Sequence, residues 1–289
     1  MNDQIQKPAQ IGPNQQLYLD LLRKCLTASI YEESAWAVIQ GKPAIPRDGE
    51  SLVKRWFRQW TVNQLRKRSL MLVRPQSYDA AKRENGVDWP CFGFTMIGHR
   101  GLDNIQKCVE EVLANGVPGD FIETGAWQGG ATIYMRALLR AYGITDRVVW
   151  VADSFEGLPA PEDAADGWDM SNVQYLKIGL DRVKRNFSQF GLLDDQVRFL
   201  QGWFKDTLPS SPIQKLALLR LDGDLYSSTM DSLSNLYSKV SAGGIVIVDD
   251  YFSWPSCRRA VDEFIREKRI RADIQGEEIG KAYWRVVPG

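Results

Sequence analysis

Four aspartates stand where two short apolar runs end. LALLRL (216–221) leads into Asp222-Gly223-Asp224, and the apolar run of GIVIVDD (244–250) closes on Asp249-Asp250. Carboxylates gathered at the ends of consecutive buried strands repel one another strongly in a low dielectric. A divalent cation removes that repulsion. An all-oxygen ligand set completed by water suits magnesium, with manganese as its substitute. The plainer alternative is a set of separate helix caps and surface turns.

Three other strand ends carry polar or glycine-rich residues. A turn runs through Glu123-Thr124-Gly125-Ala126-Trp127-Gln128-Gly129-Gly130. Glycines there let a ligand approach the backbone closely. The spacing is not GxGxxG, and an acid at 123 would repel a pyrophosphate. Glu123 suits a cationic ligand instead, such as the amino group of methionine; a plain tight turn is the alternative. Asp153 ends VVWVA (148–152), where an acid can accept bonds from both ribose hydroxyls of a nucleoside cofactor, or serve as an N-cap. Trp203 and Phe204 follow VRFL (197–200) and either flank an adenine or belong to the core. The chain has one histidine, His99, read as a surface or capping residue rather than a base. There is no GxSxG elbow and no GxxxxGK[ST] loop, which argues against a serine hydrolase and a nucleotide triphosphatase.

These residues need a scaffold that brings strand ends together. From residue 102 short apolar runs alternate with helical stretches: helix over 102–116, strand FIET (121–124), helix 130–142, strand 148–152, helix 173–190, strands 197–200 and 216–221, helix 227–239, strand within 244–250, helix 256–268 and strand 282–287. Continuous apolar strands separated by helices predict an α/β fold, a mostly parallel sheet with helices on both faces. Such sheets bind ligands at the carboxyl ends of their strands. We divide the chain into a helical N-terminal extension, 1–100, and a catalytic domain, 101–289. Within the extension, 1–16 reads as a loose polar arm, 17–40 carries helical periodicity, and 75–94 reads as irregular. Residues 47–74 hold eight basic and two acidic residues interleaved with Trp56, Phe57 and Trp60. That stretch predicts an amphipathic helix whose aromatic side packs on the body or on a second subunit. Residues 160–175 form a long acidic, turn-rich loop placed to act as a lid.

Composition excludes several classes. With 36 basic and 36 acidic residues the net charge is zero, so no nucleic-acid partner is expected. No apolar run reaches about 18 residues, so no membrane span is expected. The four scattered cysteines and the polar first residues point to reduced thiols and a cytoplasmic location.

The stretches TMIG (95–98), GDFIETGAWQGGAT (119–132), VVWVADSFEGLP (148–159), GLLDDQVRFLQGWFKDTLP (191–209), LRLDGDLYSSTMD (219–231) and GGIVIVDDYF (243–252) resemble the macrocin O-methyltransferase family. The resemblance runs from about residue 15 to the end, with residues 41–75 departing from the family pattern. It implies a Rossmann-like class I methyltransferase fold, S-adenosylmethionine and Mg2+. By matching motif, Thr95 and Met96 would touch the cofactor, and Glu123, Thr124, Gly125, Ala126 and Trp127 would line its methionine half. Asp153 would hold the ribose with Ser154 and Phe155 beside it and Trp203 nearby. Asp222, Asp249 and Asp250 would bind the metal, and Asp224 or Asp222 would be the base. The implied acceptor is a sugar hydroxyl on a glycosylated, macrolide-type natural product; a phenolic, catechol or polyketide hydroxyl is the alternative. An NAD-dependent oxidoreductase is the rival from another class, opposed by the missing GxGxxG. Assembly through N-terminal elements implies a homo-oligomer, a dimer or tetramer.

Overall fold

Leu19, Leu22 and Leu26 fall on one side of a helix, and that stripe has to be buried. The computed structural model, which describes residues 11–31, 35–39, 51–163, 166–167, 169–276 and 281–287, buries it against the body. The helix is α1 (Pro13–Leu26), started by Pro13 in its first turn. It is shorter than the periodicity over 17–40 suggests. Thr27 Oγ1 turns back to donate to the Arg23 carbonyl, and Ala28 takes a left-handed φ of 55°. Most of the predicted N-terminal arm, residues 1–10, lies outside the described residues.

Next come β1 (Ala35–Val38), α2 (Leu52–Arg66) and β2 (Val73–Gln76), the two strands pairing antiparallel. Ser51 caps α2 through its hydroxyl, which accepts from Lys54 N at 3.4 Å. Of the two packings expected for the aromatic side, on the body or on a second subunit, the first is not seen. Val62 is the buried residue of this helix, while Trp56, Phe57 and Trp60 are exposed. At ~100° per residue Val62 lies roughly 200° around the helix from Trp60, so the buried side of the helix is not the one that carries Trp60. The stretch read as irregular contains β2 and α3 (Ala80–Asn85), which Asp79 caps from its side chain.

After α4 (Gly98–Ala114), the sheet begins. Its strands are β3 (Asp120–Thr124), β4 (Val149–Asp153), β5 (Val197–Gln201), β6 (Leu216–Leu221), β7 (Val240–Val248) and β8 (Ala282–Arg285). They lie in the order β5-β4-β3-β6-β7-β8, with the first five parallel and β8 antiparallel. The order reverses between β3 and β6, which opens a crevice at their carboxyl ends.

Both faces are covered, which explains the absence of polar alternation. Phe121, Val149, Val151, Leu218, Ile245 and Ile247 join one buried cluster with α1, α4 and α5 (Gly130–Ala141). Ile122, Ala152, Leu219, Val246 and Val248 join a second, against α8 (Tyr226–Leu236) and α9 (Pro255–Lys268). Two shorter helices, α6 (Leu180–Gln189) and α7 (Phe204–Thr207), complete the set. The helix expected over 173–190 starts at Leu180 because Gly179 is still extended, and 174–176 form a single 3-10 turn. Among the described residues no helix is long and apolar enough to cross a membrane.

Candidate active site

The parity of the strands decides which side chains meet. Glu123 on β3 pairs in register with Arg220 on β6, and Arg220 pairs with Ile247 on β7, two residues before Asp249. Alternation therefore puts Glu123, Arg220 and Asp249 on one face. A charge inside a strand buried on both sides must be paired. Arg220 Nη1 donates to Glu123 Oε1 and, at 2.8 Å, to Asp222 Oδ2, while Nη2 donates to Asp249 Oδ1. One enclosed guanidinium thus ties three strand ends together. Lys281, just before β8, donates to the other oxygen of Asp249 at 2.6 Å.

Three loops at these strand ends contain a non-glycine residue in the left-handed region: Trp127 (φ 46°), Phe155 (φ 57°) and Asp224 (φ 55°). Strained backbone of this kind persists where surroundings over-determine it, commonly at ligand sites. The first two loops are locked together. Asp153 Oδ2 accepts from Ala126 N (2.7 Å) and Trp127 N (3.2 Å), and its Oδ1 from Phe155 N (2.6 Å). The Ser154 hydroxyl closes the second loop by donating to Gly157 O at 2.8 Å.

Two adjoining cavities open here. The first, about 240 Å³, is walled by Gly125, Asp153, Ser154, Trp203, Asp222 and Asp224, among others. The second, about 420 Å³, holds Thr95, Glu123, Ala126, Asp249 and Asp250, with Trp89, Phe252 and Trp254 as aromatic walls. Met96, Trp127, Leu176, Asp222 and Asp224 line both. Of the residues expected at the site, Thr124 and Phe155 line neither. Thr124 O accepts Asp222 N at 2.9 Å, and Phe155 is buried beside Phe199. The expected lid, 160–175, contributes Glu162 to the first cavity and Met170 to the second; residues 164, 165 and 168 are outside the described set.

Burial and crowding shape the electrostatics. Asp224 is pushed up to about 7, first by burial and then by Asp222 and Asp249. Asp250 is raised well above the ordinary carboxylate range by burial and by Asp224, Asp222 and Asp249. Glu123 rises to about 8 through burial, although Arg220 opposes the rise. Burial also acts on Asp249, but Lys281 and Arg220 outweigh it and hold that group low.

Asp222, Asp249 and Asp250 offer carboxylate oxygens within 4.8 Å of one another, the one such group among the described residues. Three carboxylates this close together are a donor set that would hold a hard divalent cation such as magnesium. Asp250 Oδ2 is buried with no partner, as is Glu123 Oε2. The first suits a cation among the aspartates. The second, on the wall of the larger cavity, suits an ammonium group.

Sequence reasoning missed Arg220 and Lys281. A lone arginine inside LALLRL was a usable signal, because nothing else in that run is charged. Lys281 carried none; only the antiparallel return of β8 beside β7 brings it to the site. His99 is half-buried, near Ser29 Oγ (2.8 Å) and Thr27 Oγ1 (3.2 Å), so it pins the end of α1 and lines neither cavity.

The chain is similar to known O-methyltransferases over most of its length. The profile of the Macrocin-O-methyltransferase (TylF) family matches residues 15–286. Demethyldecarbamoylnovobiocin O-methyltransferase of Streptomyces niveus is 44% identical over 278 residues, 93% of each chain. Mycinamicin III 3''-O-methyltransferase of Micromonospora griseorubida is 48% identical over 226 residues, 74% of this chain and 87% of that one. The solved structure of the O-methyltransferase NovP superposes with a TM-score of 0.77 at 42% identity, covering 95% of this chain and all of that one.

Proposed function

The chain belongs to the macrocin O-methyltransferase family, and from that premise we propose that this S-adenosylmethionine-dependent O-methyltransferase methylates a sugar hydroxyl of a glycosylated natural product, with magnesium held by Asp222, Asp249 and Asp250. The observation that carries the reading is the pair of cavities meeting at Asp222 and Asp224. One has the residues for an adenosyl group; the other has the aspartates.

The methyl donor would span the two cavities, with its adenosine beside Asp153, Ser154 and Trp203 in the first and its ammonium against the unpartnered oxygen of Glu123 on the wall of the second. A divalent cation at the three aspartates would make a hydroxyl bound to it more acidic. Asp224 lines both cavities and, held near 7, is the base that accepts the hydroxyl proton. Trp127 lines both cavities. Its indole Nε1 donates to Tyr175 O at 2.9 Å, and its ring leans on Tyr175, which stacks on Trp89.

The acceptor cavity suits a glycoside. Trp254 and Phe252 offer flat apolar faces to a sugar ring beside the carboxylates. Val87 and Trp89 line the cavity and remain exposed, an apolar surface for an aglycone. Among its described lining residues Lys281 is the one cation, and Asp249 occupies it, so the diphosphate of a nucleotide sugar would meet carboxylates. Two relatives carry names that place them on demethyldecarbamoylnovobiocin and on mycinamicin III. A homo-oligomer, dimer or tetramer, would cover the exposed apolar residues of α1 and α2, and four cysteines outside any disulfide suit the cytoplasm.

The test is to incubate the protein and S-adenosylmethionine with deoxysugar glycosides, their aglycones and the matching nucleotide sugars, with and without chelator, and to weigh the products. Methylation confined to glycosides and stopped by chelator is expected. Methylation of aglycones or nucleotide sugars instead would overturn the acceptor. Undiminished turnover in chelator would overturn the metal.

A further inference from the structure

Both oxygens of Asp249 are already claimed by cations of the chain. Arg220 takes one and Lys281 takes the other at 2.6 Å. A metal that uses Asp249 has to share with one of them or displace it. Arg220 is a poor candidate to leave. It is fully enclosed and also holds Glu123 and Asp222, so its departure would strand three carboxylates. Lys281 is different in every respect. It lines the acceptor cavity, its hydrogen bond is to Asp249 alone among the described residues, and its ammonium rides a flexible four-carbon stem.

We infer that Lys281 is a displaceable internal cation, which holds Asp249 while no metal is bound and competes with the divalent cation for that carboxylate. The inference rests on the metal reading above. Five carboxylates, Glu123, Asp222, Asp224, Asp249 and Asp250, face two cations, Arg220 and Lys281. Metal entry adds positive charge beside Asp249, and a cation a few ångströms away opposes it. The lysine therefore weakens metal affinity and keeps the ligand set ordered without metal. Each metal-binding event would swing the ammonium away from Asp249 and into the cavity that receives the acceptor.

Calorimetric titration with Mn2+ of full-length wild type and K281M, stripped of metal by chelator and measured at one pH, tests this. K281M is expected to bind Mn2+ about tenfold more tightly or better, the usual scale of coupling between two sites, and to melt at a lower temperature than wild type while metal-free. Equal or weaker binding by K281M would overturn the inference and leave the metal reading intact. Binding by neither protein would overturn both. Should K281M fail to fold, wild type labelled with 15N-lysine supplies the second measurement, with K281R used to assign the signal. The Lys281 ammonium resonance should move when Mg2+ is added. A resonance that stays in place as Mg2+ binds would show that the ion pair survives and overturn the competition.

Discussion

A β-carbon on residue 125 would stand 1.8 Å from the carbonyl oxygen of Asp222. Gly125 N donates to Ala152 O at 2.8 Å, and Asp222 N donates to Thr124 O at 2.9 Å. The turn after β3 and the loop after β6 therefore touch backbone to backbone where the strand order reverses. Donor side and acceptor side are one rigid unit at this point, and only glycine fits the join. Its φ of 96° adds a second demand that an L side chain meets poorly.

Gly125→Ala should therefore separate the two loops. The cost is on the order of 1–3 kcal/mol for the strained backbone alone. Calorimetry should show S-adenosylmethionine binding at least about tenfold weaker, the equivalent of about 1.4 kcal/mol, and thermal unfolding should begin earlier. Unchanged affinity would mean the loops part freely and their contact is incidental.

Asp224 and Asp250 have separable roles. Asp224 is raised to about 7 by burial and by its neighbours Asp222 and Asp249, which suits a proton acceptor near neutrality. Asp224→Asn should lower kcat by on the order of 10²–10⁴-fold while S-adenosylmethionine and Mn2+ still bind. Asp250→Asn should lose Mn2+ binding and activity together and keep the methyl donor. If Asp224→Asn turns over normally, the base is Asp222.

The sheet was legible because its strands are short runs that are apolar at most positions and do not alternate with polar residues, and that pattern admits few alternatives. Its strand-end acids were legible for the same reason, each one standing out against a run such as LALLRL or GIVIV. Local chemistry accounts for what was misread. Helical periodicity continues past Leu26, but a hydroxyl bond from Thr27 and the left-handed Ala28 stop α1 there. The aromatics of α2 look like a core face, yet Val62, on another side of the helix, is the residue that is buried. Lys281 depends on the register of β8 against β7, a contact between distant parts of the chain that no local pattern encodes. Trp89 and Trp254 reach the acceptor cavity in the same way.

Arg220 is the strut beneath the site. Its removal leaves Glu123, Asp222 and Asp249 without their shared partner in a buried place. Breaking such a network by deleting one partner costs about 3–5 kcal/mol. Arg220→Met should lower the urea midpoint accordingly, and Arg220→Lys should recover part of the loss, since it restores charge without the two-armed fork. A midpoint within error of wild type would show that the carboxylates can discharge by taking up protons instead.

Away from the site, Arg136 and Asp194 give a pH test with a definite sign. Arg136 on α5 is nearly enclosed and donates to both oxygens of Asp194, at 2.9 and 2.6 Å. That bonding holds Asp194 below the ordinary carboxylate value, against a smaller opposing effect of burial. A group whose folded pKa is lowered adds stability above its unfolded pKa and loses it as pH falls through the folded value. Asp194 is 38% exposed, so solvent screens the pair and the contribution is on the order of 1 kcal/mol or less. Asp194→Asn keeps the shape and removes the charge. Urea unfolding at about pH 7 should find the variant less stable than wild type, and the gap should close as pH falls below the ordinary carboxylate value of about 4 and on through the lowered folded one. A gap of constant size would assign the effect to hydrogen-bond geometry around Gln196 N, which also bonds Asp194 at 3.1 Å, and not to the ion pair.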